Sequence, residues 1–265
     1  MTVADDGGSS GRLTRELGIP PPGDIRNCLV ALADESELTE LFQHRFDSGA
    51  LTGHTAGNLI IAALTEMTGD FARAVESAGA ILKAEGRVYP ATTSLVRLGA
   101  SVEGGEISGQ VAVAQTATPI QAVYLEPPNP PAHPAAVQAI RQADQVVLGP
   151  GSLFTSLLAT LLVPGIRSAL KETKAKRVFV CNNRVQKGET EGFSVSDHVG
   201  ALLAHAGPDC VDILLVQSPV LEHDGVHIDR AGIEFLDLEV VEADVSTPAG
   251  LHDPAKLARV LAELA

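Results

Sequence analysis

The sequence predicts an α/β fold with a mostly parallel, Rossmann-like sheet and helices on both faces. Apolar runs of strand length alternate with amphipathic stretches of helix length, as in layered α/β proteins. The clearest unit is DQVVLGPGSLFTSLLATLLVPGI, which predicts a strand at 146–148, a tight turn at 149–152 and a helix at 153–162. Between 88 and 125, period-2 alternation and frequent glycines predict a small antiparallel excursion. We expect residues 1–265 to form one domain that contains this subdomain.

Capping residues, prolines and glycines predict where the helices before the excursion begin and end. Residues 2–4 are expected to end a strand, and GGSSGR to be the loop after it. PPPGDIRNCLVALAD predicts a helix entered through prolines, and SELTELFQHRF predicts a second helix capped by Ser36. The stretch from GHTAGN to AGAIL predicts a turn and two buried helices that are separated by a break at 68–70.

Beyond the excursion, the segment EPPNPPAHP is excluded from regular structure because proline lacks an amide donor. It leads into the predicted helix AAVQAIRQA and the strand-turn-helix unit described above. RVFVCNN and DILLVQS predict two more strands, VGALLAHAG predicts a helix, and HDPAKLARVLAEL predicts a capped amphipathic helix at the end of the chain.

Composition narrows the range of partners. Lys and Arg total 19 against 33 Asp and Glu, and the formal charge of -14 disfavours binding to nucleic acid or to anionic membrane lipids. Cys28, Cys181 and Cys210 are far apart and form no CxxC, which predicts reduced packing residues in a reducing compartment. No apolar stretch reaches the roughly 20 residues of a membrane span, and the chain is expected to be soluble and cytoplasmic.

Two glycine-rich turns are candidate anion sites. In ADDGGSSGR, glycines let backbone amides approach an anion and the serines add hydroxyl donors. In LGPGSLFTS, a strand turns into a helix whose first amides and positive end point at one place. The residues alone leave a simpler interpretation open for each: a solvated surface turn, and an ordinary turn before a capped helix.

Acidic and histidine side chains near these turns also have two interpretations. Asp5 and Asp6 would repel a phosphate unless Mg²⁺ or a hydroxyl-rich group lay between them, so both are candidate magnesium ligands. His54 and Asn58 lie four residues apart and could share a helix face as ligand-binding residues, or His54 could be a satisfied core histidine. The spacing of Glu189, Asp197 and His198 matches no zinc pattern. The sequence contains neither a P-loop lysine nor a nucleophile elbow, which argues against NTPases and hydrolases.

Several motifs, taken in order, resemble the gluconeogenesis factor family of bacteria, which belongs with the CofD-like 2-phospho-L-lactate transferases. They include VADDGGSSGRL, PPGDIRNCLVALAD, GHTAGNL, LGPGSLFTSLLATLLVPGI, GETEG and HDPAKLA, and they run over nearly the whole chain. The resemblance implies a Rossmann-like core that binds UDP-sugars such as UDP-N-acetylglucosamine and UDP-glucose. It also implies an influence on cell-wall synthesis, cell shape and growth on gluconeogenic carbon. PPGDIRNCL and GGSSGR follow the gluconeogenesis factor pattern rather than the transferase pattern.

Two alternatives stay open beside a UDP-sugar-binding regulator. The transferase branch implies Mg²⁺-dependent transfer from a nucleotide-diphosphate-linked substrate. The second alternative is a scaffold protein that acts through its partners. A shortened sheet edge could pair with a second copy of the chain and form a homo-oligomer. Relatives begin with an extra strand and a GGGTG loop that this chain lacks, so the start is expected to have been cut or assigned late. Relatives also commonly carry an arginine where this chain has Leu251, and both differences would weaken nucleotide binding.

No residue is predicted to be catalytic, and the chain is expected to be a binder rather than an enzyme. The predicted ligand-binding residues are Asp5, Asp6, Gly7, Gly8, Ser9, Ser10, Gly11, Arg12, Asp24, Asn27, His54, Asn58, Gly149, Gly151, Ser152 and Thr155.

Overall fold

A computed structural model describes residues 1–236 and 238–265 and confirms the mixed α/β architecture. The α-helices are α1 Gly8–Leu17, α2 Gly23–Ala31, α3 Glu37–Gln43, α4 Ala56–Thr68, α5 Phe71–Leu82, α6 Gln110–Ala114, α7 Pro134–Gln142, α8 Leu153–Leu161, α9 Pro164–Glu172, α10 Val195–Ala206, α11 Arg230–Glu234 and α12 Pro254–Glu263. The strands are β1 Arg97–Val102, β2 Gly105–Ser108, β3 Ile120–Glu126, β4 Gln145–Leu148, β5 Lys176–Val180, β6 Ile213–Gln217 and β7 Glu239–Ala243.

The parallel sheet has the strand order β4-β5-β6-β7 and is covered on both faces. All five residues of β6 are buried, as expected for a strand with helices on each side. On one face, Val178 and Leu215 pack against apolar residues of α12 such as Leu257. On the other face, Phe179 and Leu214 join the large core that includes α8, α9 and α10. The carboxyl ends of all four strands therefore meet at one edge of the sheet.

The predicted excursion is confirmed as a three-stranded antiparallel sheet with the order β2-β1-β3. Ala100 of β1 lies opposite Val123 of β3, and both side chains belong to the core that contains α8. The amide of Val123 donates to Nε2 of His205 on α10 at 3.1 Å. These contacts fix the small sheet, with α6 after β2, against the helices that follow the parallel strands.

The helices near the N-terminus form a second core. Ile25, Phe42, Ile61 and Val75 come from α2, α3, α4 and α5 and are almost fully buried together. The predicted break between α4 and α5 is confirmed, because α4 ends at Thr68 and α5 begins at Phe71.

Two expectations for the start of the chain are wrong. Residues 2–4 lie outside both sheets, and the backbone of Met1 pairs instead with Tyr89 and Ala91. GGSSGR is not an open loop, since α1 begins at Gly8. Glycine and serine have low intrinsic helix propensity, which long-range contacts override here.

One edge of the parallel sheet is open. β4 is the last strand in the order, and an apolar groove of about 340 Å³ runs along it, lined by Thr2, Val146, Leu148 and Leu157 among others. The strand expected upstream of Met1 stays a prediction. In the part of the chain that is described, no single helix is long and apolar enough to cross a membrane, and only the bent pair α8 and α9 passes that test together.

Candidate functional site

The glycine turn after β4 leads into α8, whose first amides already have an anionic partner. The carboxylate of Glu189 accepts hydrogen bonds from the amides of Phe154 at 3.0 Å and Thr155 at 3.3 Å. The Thr155 hydroxyl donates to the same carboxylate at 2.6 Å. Glu189 is only 6% exposed, so an internal carboxylate occupies the positive end of this helix.

Unpaired amide donors remain in this turn, just before the first residue of α8. The amides of Gly151 and Ser152 have no acceptor among the described residues. Asn182, just after β5, donates from Nδ2 to the Gly151 carbonyl at 3.0 Å, and Gln186 donates from Nε2 to the Ser152 hydroxyl at 2.9 Å. The turn is thus held by the chain that follows β5, with two amides left for a ligand. Gly149, Gly151, Ser152 and Thr155 stay predicted ligand residues, and Thr155 has the internal partner described above.

The second predicted turn forms the start of α1. No side chain caps this helix at Gly7, and the amides of Gly8 and Ser9 have no acceptor in the described ranges. The Asp5 carboxylate accepts from the Gly7 amide at 2.9 Å. Ser10 accepts through Oγ from the Gly23 amide at 3.1 Å, which ties α1 to α2. The first turn of α1 is therefore a second cluster of unpaired amide donors beside a carboxylate.

Helix α6 joins the two turns. The Asp6 carboxylate accepts from the Val111 amide at 3.0 Å, and Gln110 donates from Nε2 to the Thr155 carbonyl at 3.0 Å. Neighbouring residues of α6 thus contact the two turns: Val111 contacts the first and Gln110 contacts the second. The structure brings together two segments that lie more than 140 residues apart in the sequence.

Burial shifts the pKa of two groups next to α1. It raises the pKa of the Asp24 carboxyl, and the neighbouring Asp5 raises it further. Burial also lowers the pKa of His54, and Arg12 adds to this effect. His54 Nδ1 lies 3.0 Å from Ser9 Oγ, and both side chains are more than nine-tenths buried. A neutral His54 therefore serves as an internal partner of Ser9.

The other predicted side chains around α1 are used internally or remain unpaired. Arg12 donates to the Thr52 carbonyl at 2.7 Å, and Asn27 accepts from Arg26 at 2.6 Å. Asn58 is 2% exposed, and its Oδ1 has no partner in the described structure.

Asp5 and Asp6 do not form a joint metal site by themselves. Their carboxylates accept from different amides, and no group of three or more His, Cys, Asp and Glu side chains in the described ranges could hold a metal ion. Asp5 lies near Asp24 instead. Two carboxylates fit Mg²⁺ only where ligand phosphates complete its coordination, as is common for this ion.

Sequence reasoning missed the residues that link the turns. Gln110, Val111, Gln186 and Glu189 act over long sequence distances, and no local pattern pairs them with the glycine turns. The polar end of RVFVCNN was a visible signal, because ligands bind outside the carboxyl ends of parallel strands. Asn183 lies at this polar end, and its side-chain Nδ2 and Oδ1 are both buried and have no partner in the described structure.

The wider concavities of the surface lie elsewhere. A cavity of about 470 Å³ is lined by residues of α2 and α7, and one of about 420 Å³ by residues of α2 and α5; neither contains a predicted ligand residue. Gly149 and Gly151 line the apolar groove of about 340 Å³ that runs along β4.

Comparisons of the sequence and of the structure with known proteins agree on the relatives of this chain. The sequence profile described as "2-phospho-L-lactate transferase CofD" matches residues 1–246. The putative gluconeogenesis factor of Nostoc sp. (strain PCC 7120) is 46% identical and aligns with 98% of this chain and 61% of its own length. The gluconeogenesis factor of Bacillus subtilis (strain 168) is 42% identical, with coverage of 100% and 89%. A crystal structure of a Bacillus halodurans protein superimposes with a TM-score of 0.95 at 38% identity, covering 98% of this chain and 89% of that one.

Proposed function

The chain belongs to the CofD family, and within it to the gluconeogenesis factors, and from this premise we propose that it binds a UDP-sugar as a cytoplasmic regulator. The ligand would be UDP-N-acetylglucosamine or UDP-glucose. Its binding would influence cell-wall synthesis, cell shape and growth on gluconeogenic carbon. The chain spans 61% of the Nostoc relative, so these roles of the longer protein are part of the proposal.

The observation that carries this proposal is that α6 contacts both of the turns that have unpaired amides. Gly8 and Ser9 provide these amides in one turn, and Gly151 and Ser152 provide them in the other. Backbone amides of this kind bind phosphate oxygens without a lysine or arginine cluster, which suits a chain with a formal charge of -14. Asp5 and Asp24 would accept hydrogen bonds from ribose or sugar hydroxyls.

Burial of the nearest nucleophile favours binding without turnover. Among the residues that the structure describes, the Ser9 hydroxyl is the one that contacts an imidazole; Ser9 is 5% exposed, and its hydroxyl is directed at His54. A buried hydroxyl cannot reach the phosphorus of a ligand that is bound at the surface by the amides of the two turns.

Isothermal titration of the full chain with UDP-N-acetylglucosamine tests the proposal. We expect a saturable signal with one site, and a rise in the free energy of unfolding of about 2.7 kcal/mol when the ligand is at 100 times its Kd. UMP and N-acetylglucosamine serve as matched controls, because each lacks the diphosphate and should bind more weakly. Absence of any heat signal at millimolar UDP-sugar would contradict the proposal.

The proximity of Asp5 and Asp24 favours a second candidate function. Two carboxylates beside a phosphate turn could hold Mg²⁺, with the phosphates completing its coordination, in a transferase acting on a nucleotide-diphosphate-linked substrate. This candidate requires Mg²⁺-dependent release of a nucleoside monophosphate, lost in Asp5→Asn. If UDP-sugar binding persists without Mg²⁺ and no monophosphate is released, the transferase is ruled out and the regulator stands.

A further inference from the structure

Arg184 is an unpaired cation at the edge where the parallel strands end. It is exposed, and its guanidinium has neither a hydrogen-bond acceptor nor a carboxylate partner in the ranges that the structure describes. Two basic residues of the parallel-sheet region, by contrast, have carboxylate partners: Arg177 with Asp212, and Lys256 with Asp244. In a chain with 33 acidic residues, an arginine without a carboxylate partner is available for an external anion.

The guanidinium of Arg184 lies on a glycine. An added Cβ at Gly250 would approach Nη2 and Cζ of Arg184 to 2.6 and 2.7 Å, so the guanidinium would have to move away if this residue carried a side chain. Gly250 has a φ of 78°, in the left-handed region. Its amide donates to the Thr247 carbonyl at 2.9 Å, which holds the turn in place. The planar guanidinium of Arg184 thus lies against the loop that follows β7.

The residues before Arg184 connect it to the glycine turn. Asn182 contacts Gly151, the residue whose amide is unpaired. The amide group of Asn183 is 4% exposed, and neither its nitrogen nor its oxygen has a partner within the described residues. It lines a cavity of about 10 Å³, enough for roughly one water molecule. Polar groups at this strand end therefore still require partners from solvent or a ligand.

We propose that Arg184 binds the diphosphate of a ligand that the amides of Gly151 and Ser152 also hold, and that Gly250 favours this because it leaves room for the guanidinium. The inference rests on the proposed function, in which the ligand carries a diphosphate. A guanidinium donates two parallel hydrogen bonds to phosphate oxygens, which a lysine cannot reproduce. The assigned ligand class is therefore pyrophosphate and its nucleotide esters.

Titration of the full chain and its variants with inorganic pyrophosphate and with UDP-N-acetylglucosamine tests this inference. We expect Arg184→Gln to weaken binding of both ligands about 10- to 100-fold, since a charge-assisted bidentate contact is lost. Gly250→Ala should weaken binding less than Arg184→Gln does, because its methyl group displaces the guanidinium without removing its charge. Arg184→Lys should fall between these variants and the parent chain.

Arg141→Gln is the matched control. Arg141 is also an exposed arginine, but it pairs with Glu172 on the far helices α7 and α9, so its loss should leave both affinities unchanged. Thermal unfolding of each variant shows whether it is folded, and Arg184→Gln should melt within a degree or two of the parent because Arg184 makes no internal hydrogen bond in the described structure.

The outcomes separate the inference from the proposed function. UDP-sugar binding that is unchanged in Arg184→Gln overturns the inference and leaves the proposed function standing. Pyrophosphate binding that depends on Arg184, without UDP-sugar binding, supports the inference and contradicts the proposed function. A parent chain that binds neither ligand overturns both.

Discussion

At the residue scale, Glu189 determines how much of the glycine turn is available to a ligand. Its carboxylate receives two amides and one hydroxyl from Phe154 and Thr155, 35 and 34 residues away in the chain. An anion placed against the first turn of a helix is stabilised by the helix dipole and by the unpaired amides. A phosphate would therefore have to bind earlier in the turn, at Gly151 and Ser152.

Replacing Glu189 by alanine should lower the free energy of unfolding by about 3 kcal/mol, because buried donors lose a charged acceptor. Urea denaturation measures the change. Glu191→Ala is the control, since Glu191 is exposed and its removal should alter stability by less than about 0.5 kcal/mol. Equal stability of Glu189→Ala and the parent chain would show that the carboxylate is not needed at the helix end.

His198 gives a pH dependence at the residue scale. Burial lowers the pKa of its imidazole below the usual value of about 6.5, since this residue of α10 is fully buried. The unfolded chain then binds the proton more readily than the folded chain. The stabilisation is complete above about pH 6.5 and is lost as the pH falls through the folded-state pKa.

We therefore expect the free energy of unfolding to decrease between about pH 7.5 and 5.5, and the decrease to be smaller by up to roughly 1 kcal/mol in His198→Gln. Urea titrations at several pH values measure both slopes. His223→Gln, at an exposed histidine, should keep the slope of the parent chain. A His198→Gln variant with the parent slope would contradict the assignment.

At the element scale, α6 is a connector too short to be stable alone. Its five residues are held by Asp6 at the first turn and by the contact of Gln110 with Thr155. Gly109 precedes it with a φ of 108°, and an added Cβ would collide with the Asp6 carboxylate. The contact between the two turns thus depends on one glycine and one carboxylate.

Gly109→Ala should destabilise the chain by about 2 to 4 kcal/mol and weaken UDP-sugar binding, because the side chain strains the backbone and displaces Asp6. Gly104→Ala is a matched control: Gly104 has a φ of 91°, but an added Cβ there meets nothing within 4 Å. We expect that control to lose about 1 kcal/mol and to keep its affinity. Urea denaturation and titration calorimetry separate the two effects, and equal losses in both variants would contradict a role for the Asp6 contact.

At the scale of the whole molecule, the charge of -14 acts on stability as well as on binding. Like charges repel one another in the folded state, and salt screens this repulsion over a Debye length of about 10 Å at 0.1 M. The four ion pairs within the described residues lie at partly exposed positions and offset little of it.

Raising NaCl from about 0.01 to 0.5 M at pH 7.5 should therefore increase the free energy of unfolding by roughly 1 kcal/mol. Urea titrations at fixed pH measure the salt effect. Near pH 4.9, the sequence pI, the net charge vanishes and the effect should disappear or reverse sign. Loss of stability with salt at pH 7.5 would show that specific ion pairs outweigh the net charge.

Much of the architecture could be predicted because its signals are local. The strand, turn and helix between β4 and α8 follow from an apolar run, a Gly-Pro-Gly turn and a second apolar run within 23 residues. Ser36 caps α3, as predicted, through a hydrogen bond from the Thr39 amide. The prediction for GGSSGR failed because α1 is stabilised by Ser9 with His54 and by Ser10 with Gly23, contacts that no local pattern reveals.

The sequence by itself determined the fold class, the position of both glycine turns, the acidic character and the family to which the chain belongs. The tertiary structure alone decided that α6 joins the turns, that Glu189 occupies the end of α8, and that the guanidinium of Arg184 lies on Gly250. The physical reason is the range of the interactions. Periodicity and turn chemistry act within a few residues, whereas a carboxylate or guanidinium finds its partner only after the chain has brought distant strand ends to one edge.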